Sequence, residues 1–222
     1  MNIVISGLTA AGKTTHALLL ARRLNFDYVS ASRLMLTQLD IEPDPNNRLW
    51  VNRMQEIDDR RDHQPVDRDV NELLMSAFRT RTNTVFDSWS LPWLTGSVSC
   101  LRVWIESSPD SRAMKARVSQ EPYGPFLSLD DCRRLINDKD TSTARRFQPL
   151  IEANILTDRS VFDLVIDNSD LIEAPTIKSA RHGISTFHRQ LVASVSKRLP
   201  GGTLHAAQRQ NVTLPSLDSA PN

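Results

Sequence analysis

The chain is poor in the residues that build metal centres and disulfide frameworks. Its 222 residues include two cysteines, Cys100 and Cys132, far apart and without CxxC or Cys/His spacing. That speaks against a zinc site or a disulfide and for two core or surface thiols in a reducing compartment. Net charge is equally scarce: 27 Lys and Arg against 26 Asp and Glu leave +1. So small an excess gives no support for a nucleic-acid groove or an anionic membrane surface as the main partner. No apolar run approaches the roughly 20 residues of a membrane span. The N-terminus enters a strand directly, so no signal peptide is expected and the protein reads as soluble and cytoplasmic. With 40% hydrophobic residues, this length suits one α/β domain carrying a small mobile insertion.

What the chain does have is concentrated near its start. Gly7-Leu8-Thr9-Ala10-Ala11-Gly12-Lys13-Thr14, with Thr15 behind it, follows the apolar run Ile3-Val4-Ile5 and opens an amphipathic segment to Leu24. Strand, glycine loop and helix follow in that order, and G-x-x-x-x-G-K-[ST] is matched at every fixed position. Gly7 and Gly12 let the backbone turn so that successive N–H groups face one concavity. The helix start adds unpaired N–H groups and a positive dipole end, both of which favour phosphate. Lys13 is then placed for β- and γ-phosphates and the Thr14 hydroxyl for Mg²⁺. The competing reading, a tight strand-to-helix turn with no ligand, explains the glycines but not the lysine and threonine.

Further along, strands and helices alternate. Residues 26–29 read as a strand and the next few, to Leu39, as a short helix; Pro43 and Pro45 break the pattern. Helices are predicted over 48–60 and from Pro65 onward, the latter with Val66, Val70, Leu73, Leu74, Ala77 and Phe78 on one face. Between them Asp58, Asp59, Arg60, Arg61 and Asp62 read as a solvated turn. Thr84-Val85-Phe86-Asp87 is the next strand. An Asp closing such a strand either contacts Mg²⁺ beside the phosphate loop or caps the following turn. A strand over 101–105 leads to a helix with Ser108 as cap and Pro109 at its first position; a loop is expected over 121–125. Ser128-Leu129-Asp130-Asp131 reads as a capping box. Behind it Arg133, Arg134, Lys139, Arg145 and Arg146 alternate with acidic residues, as in a solvated helical hairpin or, alternatively, a lid that carries arginines over a triphosphate. Residues 161–167 form a last strand and 177–199 a C-terminal helix whose periodicity falters at Gly183. Residues 200–222 are polar and read as a disordered tail. The alternation predicts a doubly wound α/β fold with a parallel sheet, ligands at its carboxyl edge, and Asp87 on that edge.

In this order the pieces resemble the cytidylate-kinase-like branch of the P-loop nucleoside monophosphate kinases. The resemblance is carried by residues 3–15, by Leu24-Asn25-Phe26-Asp27-Tyr28-Val29-Ser30-Ala31-Ser32, by 101–112, and by Arg145-Arg146-Phe147 leading to Phe162-Asp163-Leu164-Val165-Ile166-Asp167-Asn168-Ser169. It implies a kinase domain over residues 1–199, with an acceptor-binding helical insertion around 30–80 and a lid around 128–155. It implies ATP as donor, Mg²⁺ held by Thr14 and Asp87, and Lys13, Asp87, Arg145 and Arg146 as catalytic residues. On the acceptor side it points to Ser30, Ser32, Arg33, Leu36 and Ser88. The family's two phosphate-gripping arginines fall on Leu36 and Ser88 here, and its lid Arg-Glu pair on Asp138-Lys139. Arg supplies a charged bidentate fork that neither Leu nor Ser replaces.

Three functions follow as expectations. The first is ATP-dependent phosphoryl transfer to a small nucleotide, CMP or dCMP being the family default. The second keeps the fold but phosphorylates a hydroxyl of a nucleoside or specialised metabolite, with Asp87 as base. The third is an ATP-binding regulatory or scaffold protein that transfers nothing.

Overall fold

The computed structural model describes residues 1–42, 54–63, 65–120 and 127–199. The first half of the predicted 48–60 helix, the 121–125 loop and the tail beyond 199 lie outside the described residues.

Ile3, Val4 and Ile5 are all fully buried, because the strand that carries them has helices on both faces. That strand, β1 (Asn2–Gly7), is central among β2 (Asp27–Ser30), β3 (Thr84–Asp87), β4 (Cys100–Glu106) and β5 (Leu164–Asp167). The order is β2-β3-β1-β4-β5 and every pair is parallel, as the doubly wound expectation requires. Register aligns the strand ends. Asp87 is opposite Ile5 on one side and Ser30 on the other, so three strands come level beneath the phosphate loop.

Alternate β1 side chains feed separate cores. Ile3 and Ile5 join Leu20 of α1 (Lys13–Leu24) and Phe187 and Leu191 of α8 (Ile177–Ser196). Val4 joins the opposite face, with Leu36 of α2 (Ala31–Gln38), Ile57 of α3 (Met54–His63) and Leu74 of α4 (Val66–Thr80). Each such side chain, fully buried, contributes roughly 1.5–3 kcal/mol. Among the described residues no helix is long and apolar enough to cross a membrane.

Three expectations change. The acidic-basic cluster 58–62 lies within α3 rather than in a turn, and Arg61 is buried. Its charges are satisfied across helices, which a local charge count could not show. The basic stretch expected to form a hairpin is one helix, α7 (Leu129–Phe147), 19 residues long. It has no Gly or Pro inside it, a reciprocal Ser128–Asp131 capping box at its start and buried Cys132, Ile136, Thr143 and Phe147 along one side. The last strand begins at Leu164 rather than 161, with Asp163 closing a turn onto Arg102 N–H at 2.7 Å. A short helix that had no periodic signal, α5 (Leu91–Leu94), follows β3, and α6 (Pro109–Val118) has the predicted Ser108 cap.

His16 of α1 has an acid-stability consequence. Only 3% exposed, it packs edge-on against Phe187 at 4.7 Å and lies 6.2 Å from the His188 ring, with its Nδ1 unpartnered. Burial, assisted by the nearby charges of His188 and Lys115, lowers its pKa to about 3. The folded pKa is below the unfolded one, so stability is full above the ordinary value of 6.5 and is lost as pH falls below it, levelling off near 3. The loss is about 1.4 kcal/mol per pH unit in that window. His16→Leu is expected to flatten the melting temperature between pH 6 and 4; an unchanged acid slope would refute this origin.

Candidate active site

The residues that could hold phosphate sit where β1 meets α1. Gly7 leaves no room for a side chain, since a Cβ there would be 2.6 Å from the Ile105 carbonyl oxygen. Gly12 has φ +97, in the left-handed region that other residues avoid, and so starts α1 without strain. Between them the loop closes on itself through Ala11 N–H to Leu8 O at 3.1 Å, and Ala10 has φ +60. Asn168, just past β5, supports its far side by donating to Ala11 O at 2.9 Å. Lys115 Nζ in turn donates to Asn168 Oδ1 at 2.5 Å and Ser107 Oγ at 2.9 Å. Burial holds the Lys115 pKa down at about 8.

Lys13 folds back over the loop. Its Nζ donates to Leu8 O at 2.8 Å and lies 5.4 Å from the Trp89 ring centroid. Burial pulls its pKa down, while the carboxylates Asp87 and Asp140 pull it up. Thr14 Oγ1 donates to Asp87 Oδ2 at 2.6 Å, and Tyr28 Oη reaches the same oxygen at 3.3 Å. Asp87 is 4% exposed; burial raises its pKa, opposed by Lys13 and by the Thr14 and Tyr28 hydroxyls. A hydroxyl and a carboxylate in contact supply two hard oxygen donors. That suits Mg²⁺, which takes one or two protein oxygens and completes its shell with phosphate and water.

The roof over the loop is α7. Asp140, 5% exposed, accepts from Thr9 N–H at 2.9 Å and from Arg112 Nη1 at 2.5 Å, and Arg112 also donates to Thr9 O at 3.2 Å. Two donors of this cluster, Thr9 Oγ1 and Arg112 Nε, are buried without a partner. Orphaned donors around a phosphate loop are what an oxyanion would satisfy, so the residues present fit a nucleoside triphosphate. One helical position before Asp140 is Lys139, whose pKa is held well below normal by burial and by the charge of Lys13.

The predicted site residues divide. Gly7, Leu8, Thr9, Ala10, Ala11, Gly12, Lys13, Thr14 and Thr15 make up the loop and helix start, and Asp87 meets Thr14 there. Ser30 caps α2 by accepting from Arg33 N–H at 3.4 Å, which sets Ser32 and Arg33 on the first turn at the carboxyl edge. Leu36 is different: it is 4% exposed in the core beneath α2, so it cannot face an acceptor. Ser88 is buried and its Oγ accepts from Leu91 N–H at 3.2 Å, fixing α5. Arg146 lies inward on α7, bonded to Asp62 of α3 at 2.6 Å. Arg145 is exposed and shares a shallow surface pocket with Asn137, Asp138, Thr141 and Ser142, apart from the Asp140 face. Sequence reasoning missed Tyr28, Trp89, Arg112 and Asp140 as members of the site, and treated Lys139 only as a mismatch. Nothing in their spacing marks them; the helix phase of α7 and the strand register bring them in.

Residues 2–170 match the model of the cytidylate kinase-like family. The cytidylate kinase of Sulfurisphaera tokodaii is 28% identical over 171 residues, covering 77% of this chain and 88% of that protein. The cytidylate kinase of Haloarcula marismortui is 24% identical over 190 residues, covering 84% and 91%. Among solved structures, a shikimate kinase from Acinetobacter baumannii in complex with shikimate superposes with a TM-score of 0.51 at 12% identity, over 89% of this chain and 93% of that one. At that identity the likeness speaks for the P-loop kinase fold alone. The phosphate loop, the Thr14–Asp87 contact and the family match converge on one assignment: the chain belongs to the cytidylate kinase-like family and is an ATP-dependent phosphotransferase.

Proposed function

We propose that the protein transfers the γ-phosphoryl group of ATP to a small pyrimidine nucleotide, CMP or dCMP. The observation that supports this reading is the packing of α7 on the phosphate loop, where Asp140 accepts from Thr9 N–H at 2.9 Å beside the unpartnered Thr9 Oγ1 and Arg112 Nε. Burial lowers the pKa of Lys13 and of Lys139, and the charge of phosphates brought beside them would favour the protonated form of both. The proteins of this family with similar sequences are named cytidylate kinases, which supports the pyrimidine.

In this reading residues 1–199 form the kinase domain, with the acceptor side in 30–80 and the lid in 128–155. Thr14 and Asp87 hold Mg²⁺, which neutralises charge on the phosphates when bound. Lys13 and Lys139 stabilise the transferring group from two sides, and the Thr9 hydroxyl and Arg112 Nε donate to its oxygens. Closure of α7 excludes water from the transfer. Little acid-base chemistry is required when the acceptor oxygen is already an anion.

A hydroxyl acceptor has one observation in its favour, the raised pKa of Asp87, which makes its carboxylate a stronger base. ADP release measured against CMP, dCMP, cytidine and a polyol acid separates the two. Turnover of CMP or dCMP with cytidine idle is the expected result. A nucleoside or polyol turned over while its monophosphate is ignored would reverse the assignment.

A further inference from the structure

Behind the phosphate loop a lysine, an amide and a carbonyl form a run of hydrogen bonds whose direction is fixed by chemistry. Lys115 of α6 donates through Nζ to Asn168 Oδ1 at 2.5 Å and to Ser107 Oγ at 2.9 Å. Asn168, 3% exposed, donates through Nδ2 to Ala11 O at 2.9 Å. Its own N–H donates to Glu106 O at 3.0 Å, which ties its backbone to the end of β4. An ammonium group can only donate and a carbonyl can only accept. The amide between them therefore has one workable orientation, oxygen to Lys115 and nitrogen to Ala11. Asp at this position would answer Lys115 and repel Ala11 O; Leu would answer neither.

That orientation reaches the ligand side of the loop through one peptide unit. The loop contains no cis peptide bond, and in a trans peptide the C=O of Ala11 and the N–H of Gly12 point in opposite directions. With Ala11 O turned onto Asn168, Gly12 N–H is turned away from it, toward the concavity where an oxyanion would sit. Gly12 is also braced from behind, since a Cβ on it would lie 3.2 Å from His16 Cδ2 and 3.9 Å from Asn168 Nδ2. Its carbonyl accepts from His16 N–H at 3.0 Å, which joins it to the first turn of α1. A donor aimed in advance needs no reorganisation when the phosphate arrives.

We infer that Lys115 and Asn168 are positioning residues for the phosphoryl donor: Lys115 sets the Asn168 amide, and the amide holds Gly12 N–H toward the ATP phosphates. The inference concerns the donor and is independent of which acceptor is phosphorylated. The rival account is that Lys115 acts as a bare positive charge, attracting the polyphosphate through space with no part for Asn168. The two differ in whether the effects of the two residues add. A relay is lost once, whichever member is removed; a through-space charge is lost whether or not Asn168 is there.

The test is calorimetric titration of the full chain with ATP and with inorganic tripolyphosphate at pH 7, below the Lys115 pKa of about 8. Wild type is compared with Lys115→Met, Asn168→Leu and the double variant. Asn168→Leu is expected to raise Kd for both ligands about tenfold, as loss of one hydrogen bond to a charged group would. Lys115→Met is expected to raise it about fivefold, and the double variant no more than Asn168→Leu alone. A Lys115→Met loss that persists in the Asn168→Leu background overturns the inference, as do single variants with unchanged Kd. A loss seen with ATP while tripolyphosphate binds as it does to wild type overturns it too, since the contact would then serve the nucleoside end. A wild type that binds neither ligand overturns it together with the donor assignment, whereas a wild type that binds both and ignores CMP leaves it standing. Should Asn168→Leu fold poorly, the Gly12 amide proton resonance decides with Lys115→Met alone. Under saturating tripolyphosphate it is expected to move less far downfield than in wild type, and an equal shift overturns the inference.

Discussion

Lys13→Ala is expected to lower turnover by about three orders of magnitude, the upper range for removing one preorganised donor at a developing charge. The lysine is held in place before any ligand arrives, by its bond to Leu8 O at 2.8 Å and its position over Trp89. It is also partly dehydrated, so its charge is less screened than it would be in water. Alanine takes away that charge together with the contacts to Leu8 O and the Trp89 ring, and removes no apolar side chain from the core. Asp87 loses a neighbouring cation but keeps the Thr14 and Tyr28 hydroxyls, and its raised pKa already favours taking up a proton. Circular dichroism and the melting temperature should therefore stay close to wild type. A variant with ordinary turnover would remove the basis of the proposed phosphotransferase mechanism.

Gly183→Ala is expected to have the largest effect on stability. A Cβ at this position would lie 2.1 Å from the Leu171 carbonyl oxygen and 3.0 Å from its carbon, both backbone atoms that cannot swing aside. α8 must then move off the 3-10 turn Ser169–Leu171. Overpacking of this kind costs about 3 kcal/mol, which in a chain of this length lowers the melting temperature by roughly 6–12 °C. The same turn follows Asn168, which supports Ala11 of the phosphate loop, so KM for ATP should rise as well. Ser185→Ala, on the exposed side of α8, is the control, with a change within about 0.5 kcal/mol. A Gly183→Ala melting temperature equal to wild type would mean that α8 does not pack this closely on the turn.

The Gly183 position shows how far periodicity reaches. It is legible as a fault in the helix pattern, and α8 does form there, yet the reason for the fault lies 12 residues away in Leu171. The charge cluster 58–62 shows the opposite limit. Local charge balance predicts a solvated turn, whereas burial of Arg61 depends on Asp67, and Arg146 arrives from a helix more than 80 residues later. Leu36 is a third case. Alignment by spacing puts it in an acceptor role, and helix phase turns it into the core.

By itself the sequence determined the donor half: the loop at Gly7 to Thr14, the strands that frame it, and Asp87 at a strand end. These are short-range features, set by backbone geometry and by the alternation of apolar residues, and they read directly from neighbouring letters. Only the tertiary structure decided which side of α7 faces the loop, that Asp140 rather than Arg145 lies there, and that Arg61 and Arg146 share Asp58. Those contacts join residues far apart in the chain through strand register and helix rotation, where a shift of one residue turns a side chain by about 100°, a consequence of 3.6 residues per turn.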